Sequence, residues 1–283
     1  MQTYGLLGKN ISYSLSPFMH NAAFKALDIK ATYKIFDMPE NKLDGFFGML
    51  RSGEISGANV TVPYKEKVVG LVDVADQKVR SIGALNTIVR KQKLLVGHNT
   101  DCEGFLEALR GKGEGNLGFD ERGKSVFVFG AGGAAKAVIY SLLRTGIKKI
   151  DIADIDREKA ERLASVASEA QEGNVIITVV KEKRQYDDFI SRADLLVNAT
   201  PCGMKKTDPT LFDYRFIHEK LFVFDLVYAV ETPLLKAARE TARKAINGMN
   251  MLLYQAAHSF TFWTERAAPI EAMRKALMEN ICR

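Results

Sequence analysis

Apolar and polar positions alternate along this chain in blocks short enough for strands, and longer blocks with helical spacing fall between them. Residues 3–8 (TYGLLG), 31–36 (ATYKIF) and 55–62 (ISGANVTV) read as strands. Residues 16–27 (SPFMHNAAFKAL) predict a helix with Ser16 as N-cap and Pro17 in the first turn, and 41–51 (NKLDGFFGMLR) predict another. Residues 86–101 (NTIVRKQKLLVGHNTD) have the pattern of a hairpin around a charged turn, and CEGFLEALR then turns helical. The stretch 111–124 (GKGEGNLGFDERGK) is rich in Gly and charge and reads as a linker or turn.

A second series starts at Ser125. SVFVFG is a buried strand, GAAKAVIYSLLRTG a helix ending on Gly146, IKKIDIAD a strand and REKAERLASVASEA a helix. NVIITVV, ADLLVNAT and LFVFDLVY add three strands, with helical connections between most of them. Five apolar strands with crossovers predict a doubly wound parallel sheet, so the fold class is α/β. From about Met249 the chain is helical, with amphipathic spacing in MLLYQAAHSFTFWTE and IEAMRKALMEN. No internal repeat and no low-complexity tract interrupts this order.

Composition narrows the picture. A chain of 283 residues makes one large domain or two ordinary ones. Its net charge of +6 is spread along the sequence and suggests anionic small molecules at most. No basic run is interleaved with aromatics, which argues against nucleic acid as a partner. The cysteines, Cys102, Cys202 and Cys282, are odd in number and form no CxxC pair, as expected of free thiols in a reducing cytoplasm. The N-terminal MQTYGLLGKN has no charged region ahead of a long apolar stretch, and no apolar run approaches the roughly 18 residues of a membrane span. The expectation is a cytoplasmic protein with no membrane partner.

The sharpest chemical signal is FVFGAGGAAKAV. Gly130, Gly132 and Ala135 fit G-x-G-x-x-G/A directly after a strand and at the opening of a helix. Such glycines allow a tight turn and let backbone N–H groups approach a pyrophosphate at the helix N-terminus. A plain strand-to-helix turn has the same glycines, but here an acidic strand end follows about 20 residues on, as dinucleotide binding requires. Asp154 in IDIADID can accept from both ribose hydroxyls of NAD, or it can cap the next helix, a role that Asp156 fills more naturally. Arg157 keeps the 2′-phosphate of NADP in play.

In the first third, polar groups gather just beyond strand ends: SYSLSP (12–17), Asn59, Thr61, Lys65, ALNT (84–87) and GHNTD (97–101). Strand ends line one rim of an α/β fold, so these segments can converge on one polar pocket for a small hydroxylated acid. Lys65, just past the Pro of NVTVPYKEKV, is a candidate for proton transfer with Asp101 as its partner, or a solvated charge. Ser, Thr and Asn at strand ends are also common as plain caps.

Eight segments in order, SYSLSPFMHN, NVTVPYKEKV, GALNTI, GHNTDCEGF, GAGGAAKAV, NATPCGM, FDLVYAVETPLL and GMNMLLYQAAHSFTFWT, resemble the shikimate dehydrogenases and their quinate-oxidising relatives over nearly the whole chain. The resemblance implies that Lys65 and Asp101 are the catalytic pair. It implies that Ser14 and Ser16 bind the substrate carboxylate and that Asn59, Thr61, Asn86, Asp101 and Gln255 read the ring hydroxyls. Tyr228 matches a tyrosine near both substrate and nicotinamide, and Met251 a methionine beside the nicotinamide ring, although a core role suits Met251 equally. Gly130, Ala131, Gly132, Gly133, Ala134, Asp154, Arg157 and Thr200 complete the cofactor side.

The chain departs from the family at informative places. Members that use NADP carry Asn-Arg-Thr where Asp154, Ile155 and Asp156 stand here, so NAD is the favoured cofactor and NADP the second choice. Asn250 replaces a common Gly, and Cys102 a frequent Gly beside Asp101. His20, His98, His218 and His258 lack metal-ligand spacing and are read as structural or surface residues. Trp263, Phe260 and Phe262 are expected to anchor the terminal helix, KEKRQYDD to form a solvated helix face, and Cys202 to have no assigned role.

The resulting expectation is an N-terminal substrate domain (1–102), a Rossmann-type dinucleotide domain (103–248) and helices 249–283 returning to the first domain, with the active site in the cleft. The reaction is reversible hydride transfer between shikimate and the nicotinamide, with 3-dehydroshikimate as the ketone and Lys65 and Asp101 moving the hydroxyl proton. Rival readings are a catabolic quinate/shikimate dehydrogenase and a dinucleotide-sensing protein without turnover. A proton relay is of no use to a sensor. A monomer or homodimer is expected.

Overall fold

The structure, a computed structural model, describes residues 1–112, 118–171, 173–242 and 244–281. Cys282 and positions 113–117 of the glycine-rich segment lie outside the described residues. The chain divides into two compact units, Met1–Gly104 with Leu252–Arg283, and Phe105–Met251. In chain order the elements of the first part are β1 (Gln2–Gly8), α1 (Ser16–Ala26), β2 (Ala31–Asp37), α2 (Leu43–Ser52), β3 (Gly57–Val60), β4 (Val74–Ala75), α3 (Gln77–Ile82), β5 (Thr87–Lys91), β6 (Leu94–His98) and α4 (Asp101–Leu109). Then come β7 (Ser125–Phe129), α5 (Gly133–Leu142), β8 (Lys149–Ala153), α6 (Arg157–Ala170), β9 (Ile176–Val179), α7 (Tyr186–Ile190), β10 (Leu195–Asn198), β11 (Phe222–Asp225), α8 (Pro233–Thr241) and β12 (Lys244–Asn247). Two helices complete the chain, α9 (Met249–Thr264) and α10 (Ile270–Asn280).

The sheet of the first unit runs β2-β1-β3-β5-β6-β4. Strands β2, β1 and β3 are parallel, whereas β5 is antiparallel to both β3 and β6. One face packs Leu7, Val60, Ile88 and Leu95 against Phe46 and Leu50 of α2. Aromatic contacts join Tyr4 of β1, Phe24 of α1 and Trp263 of α9, with ring centroids 5.0 Å apart for Tyr4–Trp263 and 5.3 Å for Tyr4–Phe24. Gly57 is required there, because a Cβ would stand 2.7 Å from the Trp263 indole nitrogen. That nitrogen donates to the Ile88 carbonyl, so Trp263 and the buried Phe260 do anchor α9.

In the second unit all sheet pairings are parallel and the order is β12-β11-β10-β7-β8-β9. This is the doubly wound order, with the switch point between β7 and β10. Strand β7 is apolar after Ser125 and its residues Val126–Phe129 are all buried, as a strand covered on both faces requires.

Several expectations change. Ser16 is the first residue of α1 rather than its cap: Leu15 holds the cap position with no side-chain bond, and the Ser14 hydroxyl accepts from the Ser16 N–H at 3.3 Å. The strand expected over 55–62 is confined to Gly57–Val60; Thr61 N–H still donates to the Leu7 carbonyl, but Pro63 has no N–H to give and Tyr64 N–H turns back to the Thr61 carbonyl. A sixth strand, β12, joins the nucleotide-side sheet; four half-buried residues at its edge, KAIN, carry no apolar run to announce it. KEKRQYDD forms a short 3₁₀ turn at Lys183–Gln185 and then enters α7, instead of forming one helix face. Among the described residues, no helix is long and apolar enough to cross a membrane.

Candidate active site

The mixed sheet of the first unit explains why distant segments meet. Strands β1, β3 and β6 end at one edge, and the antiparallel β5 begins at that same edge, with Asn59 opposite Thr87 and Thr87 opposite His98. Ser14, Lys65, Asn86 and Asp101 therefore all follow or precede strands at this edge. Lys65 is fixed on both sides: the neighbouring Tyr64 is buried and donates to the Met38 carbonyl, and the Lys65 carbonyl accepts from Leu85 N–H at 2.9 Å. The Lys65 side chain is 16% exposed and its Nζ donates to Asp101 Oδ2 at 2.5 Å. It is not a solvated charge.

Asp101 opens α4, where the helix dipole favours a carboxylate. Its N–H donates to Asn99 Oδ1, and Asn99 Nδ2 donates to the Ala84 carbonyl, so the segment is held from within. Asp101 Oδ1 accepts from Asn86 Nδ2 at 2.8 Å, which leaves Oδ2 for the lysine. Asn86 Nδ2 also reaches Thr100 Oγ1 at 2.9 Å and Gln255 Oε1 of α9 at 3.2 Å. Ser14 and Ser16 lie together, hydroxyl to hydroxyl at 3.2 Å, and both are buried.

Asn59 is placed differently from its neighbours on the rim. Its Nδ2 contacts the Asn86 carbonyl, Thr87 Oγ1 and Ser259 Oγ within 3.1 Å, and its Oδ1 accepts from the Tyr33 hydroxyl at 2.8 Å. Its carboxamide is engaged inside the fold. Thr61 is half-buried just beyond β3. Thr87, Asn99, Thr100 and Ser259 belong to this polar cluster; the first three carry no signal in the sequence beyond their position near strand ends and a helix start, and Ser259, inside α9, carries none.

On the nucleotide side, Gly130 has φ +110°, and a Cβ there would meet the Ala199 carbonyl at 3.1 Å. At Gly132, which precedes α5, a Cβ would meet nothing within 4 Å. Gly132, Gly133 and Ala134 are half-exposed, whereas Ala131 and Ala135 are buried. This open backbone at a helix start fits the pyrophosphate of a nicotinamide dinucleotide. Asp154 follows β8; its Oδ2 accepts from Ala131 N–H at 2.6 Å and its Oδ1 from Asp156 N–H at 2.8 Å. Asp156 is the N-cap of α6, accepting from Lys159 N–H. Arg157 pairs with Glu161 one turn along the exposed face at 2.9 Å.

Two loops of this unit share one buried carboxylate. Asp225, at the end of β11, accepts from Asn198 Nδ2, Val227 N–H and the Thr232 hydroxyl, and its burial pushes its carboxyl pKa up. Asn198 Oδ1 in turn accepts from the Thr200 hydroxyl at 2.6 Å and its Nδ2 donates to the Cys202 carbonyl. Thr200 and the half-buried Tyr228 thus sit on loops pinned at their roots. Met251 is buried in α9. Among the described residues no His, Cys, Asp and Glu cluster could hold a metal. His98 pairs with Asp76 and stacks on Phe262, and His218 lies 3.2 Å from the Ala193 carbonyl.

Known proteins resemble this chain over almost its whole length. Residues 6–88 match the family model of the shikimate dehydrogenase substrate binding domain, and 248–278 that of the shikimate 5'-dehydrogenase C-terminal domain. A shikimate dehydrogenase (NADP(+)) of Methanopyrus kandleri is 40% identical over 98% of this chain and 95% of its own. The crystal structure of shikimate dehydrogenase from Aquifex aeolicus superposes with a TM-score of 0.87 at 33% identity, covering 98% of this chain and 97% of the other. Quinate dehydrogenase from Corynebacterium glutamicum in complex with NAD gives 0.86 at 31% identity, covering 98% and 99%. An ion-paired lysine and aspartate at one sheet edge, an open glycine turn before a helix in a doubly wound sheet, and similarity over almost the full length lead to one conclusion: this chain belongs to the shikimate dehydrogenase family.

Proposed function

We propose that the protein catalyses the reversible oxidation of shikimate to 3-dehydroshikimate with a nicotinamide dinucleotide, and that NAD serves better than NADP. The observation that carries the reaction is the Lys65–Asp101 pair, held by Asn86 and Gln255. The ring hydroxyl binds at Lys65 Nζ; during oxidation the lysine gives a proton to Asp101 as it takes the hydroxyl proton, and during reduction the same transfers run backwards. Asp101 keeps the nitrogen in place and takes part of its charge. Ser14 and Ser16 offer two adjacent hydroxyls to the planar acid end of the substrate, and Thr61 and Gln255 offer further polar contacts to the ring. The bound dinucleotide supplies hydride acceptance and donation at C4 of its nicotinamide.

The cofactor preference rests on Asp154. A carboxylate at the end of β8, beside the glycine turn, suits two free ribose hydroxyls and opposes a phosphate. Arg157 is the opposing consideration, since the curated relative from Methanopyrus kandleri is named for NADP(+). Its exposed pair with Glu161 is worth only about 0.3–0.5 kcal/mol, so pairing alone does not hold it away from a phosphate. The two acids beside it, Asp154 and Asp156, decide the balance.

The test is the rate of cofactor reduction with four pairs, shikimate or quinate with NAD⁺ or NADP⁺. The highest kcat/KM is expected for shikimate with NAD⁺. Faster turnover of quinate would favour the catabolic reading, and no turnover with tight dinucleotide binding would favour a sensor.

A further inference from the structure

Beneath the Lys65–Asp101 pair lies a ring of hydroxyls and carboxamides that no role in the reaction yet explains. The orientation of Asn86 is fixed by a backbone donor: Thr100 N–H, which can only donate, points at Asn86 Oδ1 at 2.8 Å. Asn86 Nδ2 must then face Asp101. The Thr87 hydroxyl is the second donor to Asn86 Oδ1, at 2.9 Å. It also accepts from Asn59 Nδ2 at 3.1 Å and lies 2.8 Å from Ser259 Oγ. Ser259 Oγ accepts from Asn59 Nδ2 at 2.9 Å and lies 3.0 Å from the Gln255 carbonyl; with the Thr87 proton on Asn86, the single Ser259 proton is the one that closes the Thr87–Ser259 contact, in exchange with the Gln255 carbonyl. Thr87 and Ser259 are fully buried, so their hydroxyls meet neither solvent nor substrate.

We propose that Thr87, closed into this ring by Ser259 and Asn59, is a positioning residue that holds the Asn86 carboxamide and through it sets the carboxylate of Asp101 against Lys65. Asn59 acts in the same inner layer. Its hydrogen-bonding atoms are engaged by Tyr33, Thr87, Ser259 and the Asn86 carbonyl, and its part is to brace the ring rather than to read the substrate. Without the Thr87 hydroxyl, Asn86 Oδ1 keeps the Thr100 N–H and the Thr100 hydroxyl but loses the donor that ties it to Ser259 and Asn59. The carboxamide can then rock, and Asp101 is no longer presented to Lys65 in one geometry. The proposal rests on the proton-transfer reading of Lys65.

The experiment compares native protein, Thr87→Val and Thr87→Ser. Valine keeps the volume but removes the hydroxyl; serine keeps the hydroxyl but removes a buried methyl. Thr87→Val is expected to lower kcat about tenfold, the rate equivalent of one ordinary hydrogen bond, with a smaller change in KM for shikimate. It is also expected to move the pH profile of kcat/KM, because the environment of the Lys65–Asp101 pair changes. Thr87→Ser should recover kcat to within about threefold of native while melting at a lower temperature, so that activity follows the hydroxyl and stability follows packing. If Thr87→Val does not fold, Ser259→Ala takes its place, with a smaller loss in kcat and a profile displaced in the same direction. A folded Thr87→Val with native kcat and native pH profile, a Thr87→Ser as slow as the valine variant, or a silent Ser259→Ala overturns the proposal. Native protein that fails to oxidise shikimate sinks the reaction assignment and the positioning role with it. Native turnover beside an unaffected Thr87→Val sinks the positioning role alone.

Discussion

His20 sets a pH limit on the stability of the first unit that can be worked out from its surroundings. The imidazole is fully buried in α1, stacked on Tyr33 with centroids 4.3 Å apart and tilted against Trp263 at 5.2 Å. Neither ring nitrogen has a partner in hydrogen-bonding geometry. Desolvation lowers its pKa from 6.5 to about 3, and the nearby Asn59 side chain only partly opposes this. Between these two values the unfolded chain carries the proton and the folded one does not. Stability is therefore fully present above pH 6.5 and is lost as the pH falls toward 3. At 1.36 kcal/mol per pH unit the loss between pH 7 and pH 5 is about 2 kcal/mol, and the whole loss approaches roughly 5 kcal/mol. The perturbation is His20→Phe, which keeps the stacked ring and removes the titration. Since the nitrogens make no bond, the variant should match the native protein within about 1 kcal/mol at pH 7. The assay is urea unfolding followed through Trp263, the chain's one tryptophan and a neighbour of the ring. With a urea dependence of about 2 kcal/mol per molar, the native midpoint should fall about 1 M further than the variant's between pH 7 and pH 5. Carboxylates titrate in both proteins and cancel. Midpoints that move together over this range would refute the reasoning.

Three further outcomes test the site. Lys65→Ala should lower kcat by roughly 10²–10⁴-fold with a much smaller change in KM, by steady-state kinetics; a variant with near-native kcat removes Lys65 from proton transfer. Asp154→Ala should raise kcat/KM for NADP⁺ relative to NAD⁺. Unit charges about 5 Å apart repel by about 0.8 kcal/mol in water and about 3 kcal/mol at an effective dielectric near 20, so a change of tenfold or more is expected, and an unchanged ratio ends the assignment. Gly130→Ala should weaken dinucleotide binding and cost about 1–2 kcal/mol of stability, because φ is +110° and the added methyl meets the Ala199 carbonyl at 3.1 Å; a calorimetric titration that matches native affinity contradicts this.

Legibility in the sequence extends to whatever depends on local order. The glycine turn ahead of α5, the acidic end of β8 and the cap at Asp156 are each written within a few residues, and they are found where the pattern puts them. Strands with long apolar runs, such as β7 and β11, are equally plain. Strand β12 is not, because an edge strand half-covered on both faces needs no apolar run. Ser16 before Pro17 has the local signature of a cap, whereas the bond is made by Ser14 two residues earlier. The inner ring is out of reach for a different reason. Thr87 and Ser259 are 172 residues apart, and a hydroxyl at a strand end looks the same in sequence whether it faces water or a second hydroxyl.

The first unit is discontinuous, and this bears on how the protein is made. Its opening residues, through Gly104, leave the ribosome long before Leu252 and the rest of the two final helices. The intervening unit has every one of its strands by Asn247, so it can close while the earlier sheet still lacks Gln255, Ser259 and the indole of Trp263. During synthesis the nucleotide-side fold is then ready first, and catalytic competence arrives last with α9. Docking of α9 on the earlier sheet is thus the step that joins Gln255 and Ser259 to Asn86 and Thr87.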